Sequence, residues 1–209
     1  MARRVFISFR FSDGEAYKNQ LTDLFDTSTE IINCSEDEDR SKMSEDTIQK
    51  YLYSKLRTTS VTIILITPQA VNHKKDSYGY YDDWMCDEIR YSLEDRENNR
   101  CNGLVAVYTK EAMPLLMTTT IHKCNICNRE QTVSNILNVD NLFRKNMMNI
   151  KKEYKTNPCD GIFDSEKDSY CSLVAWEDFV KNYGHYIDNA AEKREHINMF
   201  DLKKRLPCI

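Results

Sequence analysis

Glycine is scarce in this 209-residue chain: there are five, at positions 14, 79, 103, 161 and 184. Neither G-x-G-x-x-G nor G-x-x-x-x-G-K-[ST] occurs. Both motifs use glycines to bring backbone N–H groups against phosphates, so their absence argues against a Rossmann dehydrogenase and a P-loop NTPase. A G-x-S-x-G elbow is also missing, which disfavours a serine hydrolase. Excess positive charge is lacking as well: 29 Lys and Arg against 33 Asp and Glu leave a net charge of −4. Phosphate backbones and anionic membrane surfaces select clustered cations, so neither nucleic acid nor a membrane is an expected partner. The longest apolar run, Val61–Ile66, is interrupted by Thr62 and is far shorter than the ~20 residues of a spanning helix. The basic start Met1-Ala2-Arg3-Arg4 is followed by an apolar stretch that ends at Arg10, so a cytoplasmic protein is expected.

Hydrophobic residues make up 41% and charged residues 30%, which suits a packed globular domain rather than a disordered chain. Arg4–Phe9 reads as a first strand. Asp13 is set to cap a helix with apolar positions at Ala16, Tyr17, Leu21, Leu24 and Phe25. Glu30–Asn33 is a weak second strand, followed by the acidic loop Ser35–Asp39. Ser44-Glu45-Asp46 opens a helix with Ile48, Tyr51, Leu52 and Leu56 on its buried stripe. Val61–Thr67 reads as a central parallel strand covered on both faces, and Pro68 ends it. Trp84, Met85, Ile89 and Leu93 mark a third helix, and Leu104–Tyr108 a fourth strand. The expected fold is therefore α/β, a flavodoxin-like open parallel sheet with helices on both faces. Residues 1–139 are assigned to this domain, with an irregular insertion from about residue 109. Residues 140–209 are assigned to a mostly helical C-terminal extension packed on it. Its expected helices are Asn141–Tyr154 and one carrying Trp176, Phe179, Val180, Tyr183, Ile187 and Ala190. Residues 155–171 read as polar loop. A phosphoacceptor receiver domain shares the layout but needs an Asp where this central strand ends in Ile66-Thr67-Pro68.

Two segments carry a resemblance. Val5-Phe-Ile-Ser-Phe9 resembles the F-I-S-[FY] strand that opens TIR domains. Thr59-Ser-Val-Thr-Ile-Ile-Leu-Ile66, followed by Trp84-Met-Cys-Asp-Glu88-Ile89-Arg-Tyr-Ser92, is similar to the TIR-like subfamily that includes the ThsB proteins of Thoeris antiphage defence. The resemblance covers roughly residues 3–108. It implies cleavage of the nicotinamide–ribose bond of NAD, yielding an ADP-ribose-derived signal that a separate effector protein reads. NAD is then a substrate and no cofactor is expected. TIR–TIR assembly or self-association is the expected partnership, and a non-catalytic TIR scaffold is the alternative.

The chemistry suits these residues. Ligands of doubly wound sheets bind beyond the carboxyl ends of the strands. Glu88 comes early in the helix after the central strand, which places it near that edge as the catalytic carboxylate. Phe6, Ser8, Phe9, Arg10, Asp13 and Trp84 are the candidate NAD-binding residues, Arg10 for the pyrophosphate and Phe6 or Phe9 for a ring. Each has a plainer reading: Glu88 a solvated charge, Trp84 core, one of the two Phe core, Arg10 a partner of Asp13. Tyr78, Tyr80 and Tyr81 are either a lid or a surface loop. His122-Lys-Cys124-Asn-Ile-Cys127 resembles half a zinc site, but structural zinc takes four ligands. Cys101, Cys159 or Cys171 would have to reach it from afar, so no metal is expected and the eight cysteines are read as free thiols.

Overall fold

A computed structural model describes residues 2–35, 45–72, 84–95, 100–159 and 161–205, with the side chains of Glu45, Ile48, Gln49 and Trp84 also outside the description. In chain order the first half runs β1 (Arg3–Ser8), α1 (Phe11–Asp26), β2 (Ile31–Asn33), α2 (Glu45–Leu56), β3 (Val61–Ile66), α3 (Pro68–Val71), α4 (Trp84–Ser92) and β4 (Gly103–Tyr108). The second half runs α5 (Met113–Leu116), β5 (Met117–Lys123), β6 (Glu130–Ile136), α6 (Asn141–Arg144), β7 (Cys171–Ala175), α7 (Trp176–Lys181) and α8 (Tyr183–Glu195).

Five strands form one parallel sheet in the order β2-β1-β3-β4-β7, the flavodoxin-like arrangement. β3 is buried along its whole length because helices cover both faces. Alternate residues divide between the two layers. Val5, Ile7, Ile63, Leu65, Val105 and Val107 face Leu21 and Phe25 of α1 and Ile187 of α8. On the other face Ile64, Ile66, Leu104 and Ala106 meet Met85 and Ile89 of α4, Leu93 just after it, and Phe143 of α6. Phe6 continues that second face outward, against Leu52 and Leu56 of α2.

Gly103 is required where β4 begins. A Cβ there would lie 1.9 Å from the Ala190 carbonyl oxygen, so the α8 backbone rests directly on the strand.

Four local expectations are corrected. Asp13 does not cap α1, which begins at Phe11 with Arg10 in the cap position. Its carboxylate instead accepts the Thr67 hydroxyl at 2.7 Å and the Gln69 N–H at 2.9 Å, satisfying a free donor at the start of α3. The supposed irregular insertion contains an antiparallel hairpin, with Thr119 opposite Ser134 and Ile121 opposite Thr132. Asn141–Tyr154 is not one helix: α6 ends after Arg144, and Met148 takes a positive φ of 49°. The C-terminal helix is broken at Asn182 into α7 and α8. Ahead of it lies β7, a strand the periodicity did not reveal, which pairs with β4 from Leu104↔Cys171 to Tyr108↔Ala175. Ser44, the loop residues 36–39 and Tyr78, Tyr80 and Tyr81 lie outside the described residues. Among the described residues no helix is long and apolar enough to cross a membrane.

Candidate active site

Three of the seven sequence candidates, Ser8, Arg10 and Glu88, belong to the carboxyl end of β1 and to α4. α4 runs antiparallel to the strands, and its far end is fastened by a buried polar cluster. The Ser92 and Thr62 hydroxyls are 2.8 Å apart, and Asn102 Nδ2 donates to Thr62 Oγ1 at 2.9 Å and to Thr59 Oγ1 at 2.8 Å. The Asn102 N–H donates to the Ser92 carbonyl at 2.6 Å, and the Tyr170 hydroxyl donates to the Asn102 carbonyl at 2.9 Å. All five residues are buried. Thr59, Thr62 and Ser92 belong to the motif that carried the family resemblance; their work is to fix the height of α4 on the sheet. Asn102 was missed, because an isolated Asn before a strand carries no periodic signal.

Glu88 lies one turn before Ser92. Residues four apart share a helix face, so Glu88 is turned toward the sheet as Ser92 is. It is only 7% exposed, which rules out the solvated-charge reading. Tyr91, three residues after Glu88, packs against the Phe6 cluster. From Tyr91 back to Glu88 the helix rises ~4.5 Å; from Phe6 to Ser8 the strand rises ~6.6 Å. Both rises run toward the carboxyl edge, so Glu88 and Ser8 stand at similar heights above that cluster. Ser8 is 1% exposed, and its hydroxyl has no hydrogen-bond partner among the described residues. A buried donor left unmatched is costly and marks a place where a ligand can supply the partner.

Arg10 follows directly. Desolvation holds its guanidinium below the ordinary pKa, while Cys86 of α4 and Asp13 pull it back up. It remains a cation. Cys86 itself is no nucleophile. Burial, followed by the charge of Asp140, pushes its thiol far up, away from the reactive thiolate.

Other candidates have different roles. Phe6 is 1% exposed and enclosed by Leu52 and Leu56, so no ring face is left for a ligand. Phe9 is half-buried on the α1 side, 4.6 Å from the Phe11 ring between centroids. Asp13 is engaged with Thr67 and Gln69. Trp84 opens α4, and its side chain lies outside the described residues.

A groove of about 740 Å³ lies elsewhere, between the β5–β6 hairpin and the segments around Tyr108, Met147 and Phe163. It is large enough for a nucleotide. Among the described residues its lining holds amides, hydroxyls, thioethers and His122 and no carboxylate.

The match to the family model described as Thoeris protein ThsB, TIR-like domain, spans residues 6–113, just over half of the chain. It runs from the second half of β1 through β4 and includes both Ser8 and Glu88. The chain belongs to the ThsB TIR-like family of Thoeris antiphage defence.

Proposed function

We propose that this TIR-like domain cleaves the nicotinamide–ribose bond of NAD and that Glu88 is the catalytic carboxylate. What supports this reading is the burial of Glu88 on α4, together with Ser8, a buried hydroxyl without a hydrogen-bond partner among the described residues. Bond breaking builds positive charge on the ribose, as in glycoside hydrolysis. Nicotinamide leaves a cationic pyridinium as a neutral molecule, so no acid is needed to protonate it. One carboxylate then suffices, placed to stabilise the developing cation and to hold ribose hydroxyls. Ser8 supplies a hydrogen bond to the sugar, and Arg10 meets the pyrophosphate. Water, or a hydroxyl of a nucleotide, takes the vacated sugar carbon and gives up a proton. The product is an ADP-ribose derivative, read as a signal by a separate effector protein.

The test is nicotinamide release from NAD by the full chain at low and high protein concentration, beside Glu88→Gln. Release that disappears in the variant, with folding unchanged, supports the reading, and mass analysis names the product. Equal release by the variant removes Glu88 from the mechanism. No release by folded protein at any concentration leaves an enzyme awaiting its trigger or a non-catalytic TIR scaffold, and favours the scaffold.

A further inference from the structure

Far from the Glu88 edge, at the tip of the β5–β6 hairpin, the sulfurs of Cys124, Cys127 and Cys159 all lie within 4.8 Å of one another. Cys159 is the distant residue whose absence had left the C-x-x-C pair incomplete. A disulfide joins two sulfurs and leaves the third with nothing to do. Three thiols around one point are the arrangement a metal uses: Zn–S bonds of about 2.3 Å in a tetrahedron put sulfurs roughly 3.8 Å apart.

The backbone around the pair is shaped for the same purpose. The Asn128 N–H donates to the Cys124 carbonyl at 2.9 Å, and the Cys124 N–H donates to the Arg129 carbonyl at 2.9 Å. Asn128 takes a left-handed φ of 57°, which folds the chain back over the pair. The loop that delivers Cys159 is fastened independently. Asn157 Oδ1 accepts the Cys159 N–H at 3.0 Å, and Lys155 Nζ donates to the Cys159 carbonyl at 2.6 Å. Further along, Gln131 of β6 exchanges two hydrogen bonds with the Phe163 backbone. Cys124 and Cys159 are buried, while Cys127 is exposed and marks the solvent side.

We infer that Cys124, Cys127 and Cys159 bind one thiophilic divalent cation, zinc by the softness of the ligands, with a water completing its four ligands on the side of Cys127. Its work is structural. It ties the hairpin tip to the loop leading into β7, and so holds one rim of the 740 Å³ groove, which Gly161 and Phe163 also line.

The test uses the full chain purified under reducing conditions without chelator. Elemental analysis is expected to find about one zinc per chain. Cys124→Ser and Cys159→Ser should each lower that severalfold, while Cys34→Ser, at the end of β2, should not. Stripped wild-type protein titrated with Co²⁺ should develop sulfur-to-cobalt charge-transfer absorption that saturates near one equivalent and is displaced by Zn²⁺. That spectrum decides the matter even where a serine variant fails to fold. Folded, reduced wild-type protein that takes up neither metal would overturn the inference. So would a full equivalent of zinc in the folded Cys124→Ser/Cys159→Ser double variant, or a disulfide between two of the three cysteines in freshly isolated protein.

Discussion

Replacing Asn102 by Ala should cost the protein about 3 kcal/mol. The side chain is fully buried and gives two N–H bonds, at 2.8 Å to Thr59 and 2.9 Å to Thr62. Each such bond contributes about 1 kcal/mol net, and hydroxyls left buried with fewer partners add a further ~1 kcal/mol. Thr59 and Thr62 keep their bonds to the Leu56 carbonyl and the Ser92 hydroxyl, so the loss stops short of the full desolvation cost. For a chain of this size each kcal/mol moves Tm by about 2–4 °C, so a fall of roughly 6–12 °C is expected. A double-mutant cycle with Thr62→Val isolates the shared bond and should give a coupling of about 1 kcal/mol. Because the cluster sets the height of α4, the proposed nicotinamide release should also be slower in the variant at a temperature where it is fully folded. Denaturant unfolding of the four proteins is the assay. A loss below 0.5 kcal/mol, or no coupling, would refute the claim that this cluster fastens the helix.

Three further outcomes are expected. Gly103→Ala places a Cβ 1.9 Å from the Ala190 carbonyl oxygen; α8 must retreat by about 1 Å, at a cost of ~3 kcal/mol, and wild-type thermal stability in this variant would contradict the close packing. Asp13→Ala removes the acceptor for Thr67 and Gln69 and should cost about 1–2 kcal/mol in denaturant midpoint; no change would mean the α3 start is hydrated instead. The third concerns alkaline pH. Burial, with Asp140 adding to it, raises the Cys86 thiol well above its unfolded value near 9, so its stabilising contribution is complete below that pH. Above it the unfolded chain loses the proton while the folded one keeps it, and stability falls by about 1.4 kcal/mol per pH unit. Cys86→Ala should lack that slope between pH 9 and 10.5, and parallel curves would dismiss the thiol. Lys193, drawn down to about 8 by burial, acts in the opposite direction in both proteins and cancels from the comparison.

What the sequence disclosed follows from how each element buries its side chains. β3 and β4 are apolar throughout, and α1, α2 and α4 carry apolar stripes, so period and composition locate them. The hairpin escaped because both its faces are largely exposed: Thr118, Thr119, Thr120 and Ile121 lie in solvent and leave no apolar alternation. The run of Thr and Ile was the available signal, one of β propensity rather than period. β7 escaped because five residues flanked by polar loop give too short a pattern. Glu88 was singled out through its motif, but a motif does not show its burial, which follows from how α4 is clamped at Ser92 to Thr62, thirty residues away. Cys159 meets its partners only through the folding of two separate loops, which no spacing rule encodes.

The junction at β4 has a consequence for how the chain can be cut. The family match ends at residue 113, yet the strand that covers the outer edge of β4 begins at Cys171, and the helix that covers Val105 and Val107 follows it. A fragment ending at the match would expose an unpaired apolar strand, the template on which chains add edge to edge. The matched half is thus a recognisable sequence unit without being an autonomous folding unit. During synthesis the sheet stays open until β7 and α8 have left the ribosome, and competence for any chemistry at Glu88 waits on them.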